Sequence, residues 1–134
     1  MDISGLNLLL VEDNELNAEI LKELLHMEGA DCVICPNGRS VVDTFEQSVP
    51  GDYDMILMDV QMPVMNGYEA TKAIRKGKHP LARTIPIIAM TANAFSEDVQ
   101  KSLSAGMNAH ISKPMDMKKL ARVVKKERIK FGLK

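Results

Sequence analysis

The sequence predicts an α/β domain, a doubly wound parallel sheet of five strands with five helices on its two faces. Two observations carry that prediction. Short, nearly continuous apolar runs, of which Leu6-Asn7-Leu8-Leu9-Leu10-Val11 is the first, read as strands buried on both faces, and they alternate with segments of helical period. Caps and breakers also fall at the joints, with Asn14 ahead of the first helical segment and Gly29, Gly77 and Gly106 behind the first, third and fourth.

Taken in order, Asn14 N-caps a helix whose apolar stripe reads as Leu16, Ile20, Leu24 and Met27. Asp31–Cys35 is a second strand, and Arg39–Gln47, carrying Val41, Val42 and Phe45, a second helix. Met55–Met58 is the third strand, and the third helix runs from about Tyr68 to Lys76. Pro86–Met90 is followed by a helix over Glu97–Ala105, capped by Ser96. Ala109–Ser112 and Met117–Lys126 close the pattern, and the residues beyond Lys126 carry no termination signal and are expected to fray. With right-handed crossovers, five such units leave few arrangements, and the flavodoxin-like strand order 2-1-3-4-5 is the natural one.

The chain's 134 residues match one domain, with the core expected over about residues 6–126, and 46% hydrophobic content suffices for a core without staples. Aromatic residues make up only 4%, with no Trp, which argues against a base- or sugar-stacking surface. The net charge of -1 conceals an asymmetry: residues 1–112 hold 16 acidic and 8 basic side chains, residues 113–134 hold 2 and 9. Leu120, Val123 and Val124 lie among those lysines at helical spacing, so the basic segment reads as an amphipathic closing helix with a solvated face, not as a nucleic-acid or membrane contact. No stretch approaches the ~20 apolar residues of a membrane span, and the expected location is the cytoplasm. Cys32 and Cys35 form a C-x-x-C, but inside a strand an offset of three puts them on opposite faces, which suits two inert buried thiols. His26, His79 and His110 show no zinc-ligand spacing.

In a doubly wound sheet, ligands sit outside the carboxyl ends of the strands. The first strand ends in Glu12-Asp13, the third in Asp59, the fourth in Thr91 and the fifth in Lys113, followed by Pro114. The first and third strands are neighbours in the predicted order, so Glu12, Asp13 and Asp59 converge in one crevice. Three carboxylates need a raised pKa or a cation there, and an all-oxygen cluster suits a hard divalent ion, magnesium above all. An Asp between a divalent cation and the Lys113 ammonium is placed to attack phosphorus, with Thr91 and the following backbone N–H groups donating to phosphoryl oxygens.

With these residues the sequence resembles the receiver domain of two-component response regulators. The resemblance runs from about Leu6 to Lys126. It is carried by Leu9-Leu10-Val11-Glu12-Asp13-Asn14, by Met58-Asp59-Val60-Gln61-Met62-Pro63-Val64-Met65-Asn66-Gly67, by Met90-Thr91-Ala92-Asn93-Ala94, and by Ser112-Lys113-Pro114. It implies that Asp59 is the phosphoacceptor and that Asp13, Asp59 and the backbone carbonyl of Gln61 hold Mg2+, with Glu12 acting through water. It also implies that Thr91 is the switch hydroxyl, that Lys113 contacts the phosphoryl group, and that the Lys113–Pro114 peptide is cis. The implied partner is a histidine kinase or histidine phosphotransfer domain, and a phosphorylation-dependent dimer is among the associations implied. The turn after Asp13 and the Thr91–Ala94 segment are similar to receivers of hybrid sensor kinases. Where the family carries Tyr or Phe as the second half of its switch, this chain has His110, a smaller ring that fills the same cleft only when neutral. The expectation is a signalling module that promotes its own phosphorylation and dephosphorylation, standing alone or cut from a longer kinase or regulator.

Two enzyme or cofactor readings fit less well. A haloacid-dehalogenase-like phosphohydrolase needs a general acid two residues after its nucleophilic Asp, and Gln61 stands there. A flavodoxin needs a phosphate cradle after the first strand, where Glu12-Asp13-Asn14-Glu15 would repel the anion. A degenerate receiver used only for protein contacts leaves the full set of acceptor residues unexplained.

Overall fold

The structure is a computed structural model, and it describes residues 3–62, 64–91, 96–112 and 116–130. Five strands, β1 (Asn7–Val11), β2 (Asp31–Cys35), β3 (Met55–Asp59), β4 (Ile87–Thr91) and β5 (Ala109–Ser112), alternate with five helices. These are α1 (Glu15–Met27), α2 (Gly38–Gln47), α3 (Gly67–Lys76), α4 (Ser96–Ala105) and α5 (Met117–Lys130). The strands form one parallel sheet in the order β2-β1-β3-β4-β5, as predicted.

The near-continuous apolar runs are explained by two cores, one on each face of the sheet. On one face, Leu8, Leu10, Met55, Leu57, Ile88 and Met90 pack against Leu21 and Leu25 of α1 and Leu120 and Val124 of α5. On the other, Leu9, Val11, Ile56, Met58, Ile87 and Ala89 meet Val41, Val42 and Phe45 of α2 and Ala70 and Ile74 of α3. Each large side chain buried there contributes about 1.5–3 kcal/mol relative to leaving it in water. Cys32 belongs to the first core and Cys35 to the second, so the two free thiols do lie on opposite faces. Burial pushes the Cys32 thiol up to about 11, against a smaller opposing pull from Lys22, and burial likewise raises Cys35.

Asn14 caps α1 as predicted, while Ser96, predicted to cap the fourth helix, is instead the first residue of α4. Asn14 and Asn37 accept from the N–H groups of Asn17 and Ser40, and Asn66 forms a reciprocal capping box with Glu69. Gly29 closes α1 with φ +86, while the Ala30 N–H reaches back to the Leu25 carbonyl. His79 is structural. It stacks on Phe45 at 4.1 Å, its Nδ1 accepts from the Leu81 N–H, and its Nε2 lies 3.1 Å from Ser48 Oγ. Because Ser48 donates to the Phe45 carbonyl, the consistent arrangement is a neutral ring donating from Nε2.

Two expectations are corrected. The stripe Leu16, Ile20 and Met27 faces water, at 69%, 51% and 74% exposure, and Leu24 is only half-buried; α1 packs instead through Ala18, Leu21 and Leu25. The helix carries apolar residues on two sides, and periodicity gives a stripe's spacing without saying which stripe meets the sheet. The last helix also does not stop at Lys126. It continues to Lys130, with Arg128 reaching the Ser4 carbonyl and Glu127 buried in line with Leu120 and Val124. The remaining boundaries move by one residue or so, as helix and strand ends commonly do.

Glu127 is 3% exposed, and its Oε2 has no hydrogen-bond partner among the described residues. Burying a carboxyl oxygen without a donor is destabilising, so Glu127→Met, of similar length and apolar, should raise unfolding stability by about 1–3 kcal/mol. Urea denaturation reads the change; a midpoint lower than wild type would show that the carboxylate is stabilising where it stands.

Candidate functional site

The site forms where β1 and β3 lie side by side and the order of connections reverses. β1 delivers Glu12, buried at 6% exposure, and the exposed Asp13, before Asn14 turns the chain into α1. β3 delivers Asp59 as its last residue, 3% exposed. Register fixes the rest of the arrangement: Val11 pairs with Met58, Asp59 with Met90, and Thr91 with Ser112. Thr91 thus closes the strand beside Asp59 and is itself buried.

Glu12, Asp13 and Asp59 can each present an oxygen such that all three lie within 4.8 Å of one another. At such separations like charges repel by several kcal/mol unless a cation offsets them. The donor set is entirely carboxylate oxygen with one exposed member, which matches a hard divalent ion that keeps part of its water shell. The site residues therefore fit a divalent metal.

The turn after Asp59 is built tightly around its carboxylate. The Gln61 N–H donates to Asp59 Oδ1 at 3.1 Å, so the chain folds back over the pocket at once. The Val60 N–H continues to the Met90 carbonyl and the Gly67 N–H to the Val60 carbonyl. Gly67 has no room for a side chain: a Cβ there would press on the Asp59 carbonyl oxygen and lie 2.8 Å from Val60 Cα. Gly38, opening α2, is crowded the same way by Met65. Val64 holds φ +70, a left-handed conformation that a β-branched residue rarely adopts, and its side chain is 85% exposed.

Of the residues singled out from the sequence, the structure brings Glu12, Asp13, Asp59, Gln61 and Thr91 together. His110 is half-buried on β5, paired with Ala89. Lys113 and Pro114 lie outside the described residues, as do Ala92, Asn93 and Ala94. Reading the sequence assigned no role to Gly38, Gly67 or Val64. A glycine opening a helix was the only signal, and it does not reveal which backbone presses against it.

The family model described as response regulator receiver domain matches residues 8–125. Hybrid signal transduction histidine kinase I of Dictyostelium discoideum is 38% identical over 125 residues, covering 92% of this chain and 7% of that protein. The chain thus spans a small part of the length of the curated kinases it matches. Among solved structures, the receiver domain of sensor histidine kinase PA1611 from Pseudomonas aeruginosa, with a magnesium ion coordinated in its active site cleft, superposes with a TM-score of 0.81. It is 36% identical, and the match covers 96% of this chain and 99% of that one. The receiver domain of Ssk1, solved with the Saccharomyces cerevisiae histidine phosphotransfer protein Ypd1, gives a TM-score of 0.80 at 29% identity, covering 92% and 89%.

The close approach at Gly67 yields a direct test. Gly67→Ala should cost about 1–3 kcal/mol in urea unfolding, because the new methyl must displace the end of β3. The same displacement moves Asp59, so divalent-cation affinity measured by calorimetry should fall as well. Retention of both wild-type values would mean the turn relaxes without disturbing the carboxylate.

Proposed function

This chain belongs to the response regulator receiver domain family of two-component phosphorelays, and we propose that within it Asp59 is the residue that accepts the phosphoryl group. The observation that carries the assignment is the carboxylate cluster: Asp59 ends the strand beside the one that ends in Glu12 and Asp13, with Thr91 on its other side. An Asp59 oxygen bonds to phosphorus as the N–P bond of a donor phosphohistidine breaks, and the leaving imidazole takes the electron pair. The Gln61 N–H donates to Oδ1 and so fixes the orientation of the carboxylate. The Thr91 hydroxyl donates to a phosphoryl oxygen, and Lys113 supplies the second cation.

Asp13, Asp59 and the Gln61 backbone carbonyl would hold Mg2+, with Glu12 acting through water. A divalent ion there neutralises charge on the phosphoryl oxygens during transfer. The magnesium coordinated in the cleft of the Pseudomonas receiver supports this choice of metal.

The donor is a protein carrying phosphohistidine, a reading supported by the Ssk1 receiver having been solved with a phosphotransfer protein. Asp59 is buried, so the donor must seat its imidazole over the strand ends. Leu16 and Ile20, exposed on the first turns of α1 just after Asp13-Asn14, and Val64, exposed in the turn after Asp59, offer it apolar footing. The chain is similar to receivers of hybrid kinases, whether it stands alone or is part of a longer protein, and is read as promoting its own phosphorylation and dephosphorylation. Thr91 pairs with Ser112 and Ala89 with His110, so Thr91 and His110 lie on the same face of the sheet. His110 is read as the residue that follows when Thr91 turns toward the phosphoryl group.

Two measurements test the assignment. Acetyl phosphate with magnesium should add one hydroxylamine-labile phosphoryl mass to the wild type and none to Asp59→Asn, whose amide is not a nucleophile; equal uptake by the variant would sink the proposal. Magnesium should stabilise the fold by mass action, about 2.7 kcal/mol at one hundred times its Kd. Asp13→Ala should bind it at least about tenfold more weakly, and an unchanged affinity in calorimetry would remove Asp13 from the site.

A further inference from the structure

The opposite pole of the sheet carries a cation that the phosphoacceptor chemistry does not use. Arg75, in the last turn of α3, is half-buried, and its guanidinium makes hydrogen bonds only to neutral amide oxygens among the described residues. Nε and Nη2 donate to the Gly106 carbonyl at 3.0 and 2.8 Å. Nη1 donates to the Ala82 carbonyl at 3.1 Å, and Nη2 also donates to Asn108 Oδ1 at 3.0 Å. Burial lowers the pKa of the guanidinium from its ordinary value, the mark of a cation taken partly out of water.

The acceptors sit at two structural joints. Gly106 ends α4 with φ +106, and the Met107 N–H closes back onto the Ser102 carbonyl at 3.0 Å. The positive charge of Arg75 therefore meets the negative end of the α4 dipole. Asn108 stands at the entry to β5. Its N–H donates to the Ile87 carbonyl at 2.8 Å, and its Oδ1 accepts from the Ile87 N–H at 2.8 Å as well as from Arg75. One side chain of α3 thus binds the C-terminal end of α4 and the first contact between β4 and β5. Ile87 precedes Thr91 by four residues, about 13 Å along the strand. The other end of α4, Ser96, follows Thr91 by only five residues in the chain.

We propose that Arg75 is a positioning residue, the fixed end of a lever. It anchors the C-terminal end of α4 and the start of the β4–β5 pair, so that the response to modification of Asp59 is confined to the pocket end of α4 and β5. The proposal rests on the Asp59 assignment above. Its physical basis is the planar fork of the guanidinium, which spreads four hydrogen bonds over three separated acceptors, whereas an ammonium offers three donors from a single point. A desolvated cation that lost one of those acceptors would be left underserved, so the joint stays closed while the pocket end rearranges.

Hydrogen exchange by mass spectrometry tests it on the wild type, Arg75→Lys and Asn108→Asp, each unmodified and bound to beryllofluoride. Phosphoryl uptake from acetyl phosphate is measured separately on each protein. Arg75→Lys keeps the charge and loses the fork. In the unmodified protein, amides of residues 103–108 and Ile87 should exchange at least about tenfold faster, and the change induced by beryllofluoride should spread from the pocket end of α4 through residue 108. Asn108→Asp keeps the acceptor and gives Arg75 an anionic partner, so the same amides should exchange more slowly and the induced change should stay at the pocket end. Phosphoryl uptake should be unaltered in both variants. Unchanged exchange at 103–108 in Arg75→Lys, or a wild-type response pattern in that variant, overturns the anchor. Absence of phosphoryl uptake in the wild type would instead remove the Asp59 assignment, and the unmodified arm would still decide whether Arg75 holds α4.

Discussion

Everything distinctive in this molecule depends on holding three carboxylates closer together than they would stay in water. Glu12, Asp13 and Asp59 converge to within 4.8 Å, two of them buried. Like charges at that range oppose one another unless opposite charge or donors offset them. The opposition is borne by the strands behind them. β3 is buried at every position, and β1 at every position after its first, so the sheet cannot yield without opening a core on both of its faces. A divalent cation on those oxygens would remove the repulsion and so couple ligand chemistry directly to the stability of the strand ends.

The β3–α3 turn shows the same trade at smaller scale. The Gln61 amide is committed to the Asp59 carboxylate, Gly67 opens α3 pressed against the backbone of Asp59 and Val60, and between them Val64 is held at positive φ. Strain of this kind persists only where surrounding structure over-determines it. Here the over-determination comes from the Asn66–Glu69 capping box, which fixes the start of α3, and from Gly38 of α2, which lets Met65 pack close. The turn is thereby stiff on its far side and exposed at its tip, beside the carboxylate it positions.

The two poles of the sheet are built from opposite chemistry. The carboxyl ends of the strands carry a cluster of carboxylates, and the amino ends carry a guanidinium held by neutral carbonyls together with a neutral histidine wedged against Phe45. Charge at the first pole invites ligands. Charge at the second is consumed internally, because every strong donor of Arg75 that points inward already has an acceptor. Such an arrangement leaves one end of the molecule responsive and the other fixed.

The sequence by itself determined the strands, the Asn14 cap and the residues of the carboxylate cluster, because each is a local signal, and crossover handedness then selected the strand order. A buried parallel strand must be apolar throughout, a helix start needs an Asn to take its free N–H groups, and polar residues that end apolar runs must emerge at one rim. Asn14, Asp59 and Thr91 were legible for that reason. Only the tertiary structure decided which face of α1 meets the sheet. Leu16-Ile20-Met27 and Ala18-Leu21-Leu25 are both apolar stripes of helical spacing, and the choice between them depends on how the strand hands the chain to the helix. The same is true of the length of α5, which Arg128 and the buried Glu127 extend through contacts with distant residues such as Ser4. It is true also of Gly67 and Arg75, whose roles are set by backbone atoms that come near them only when the sheet has formed. A sequence records what a residue prefers, and only packing brings together the groups that use that preference.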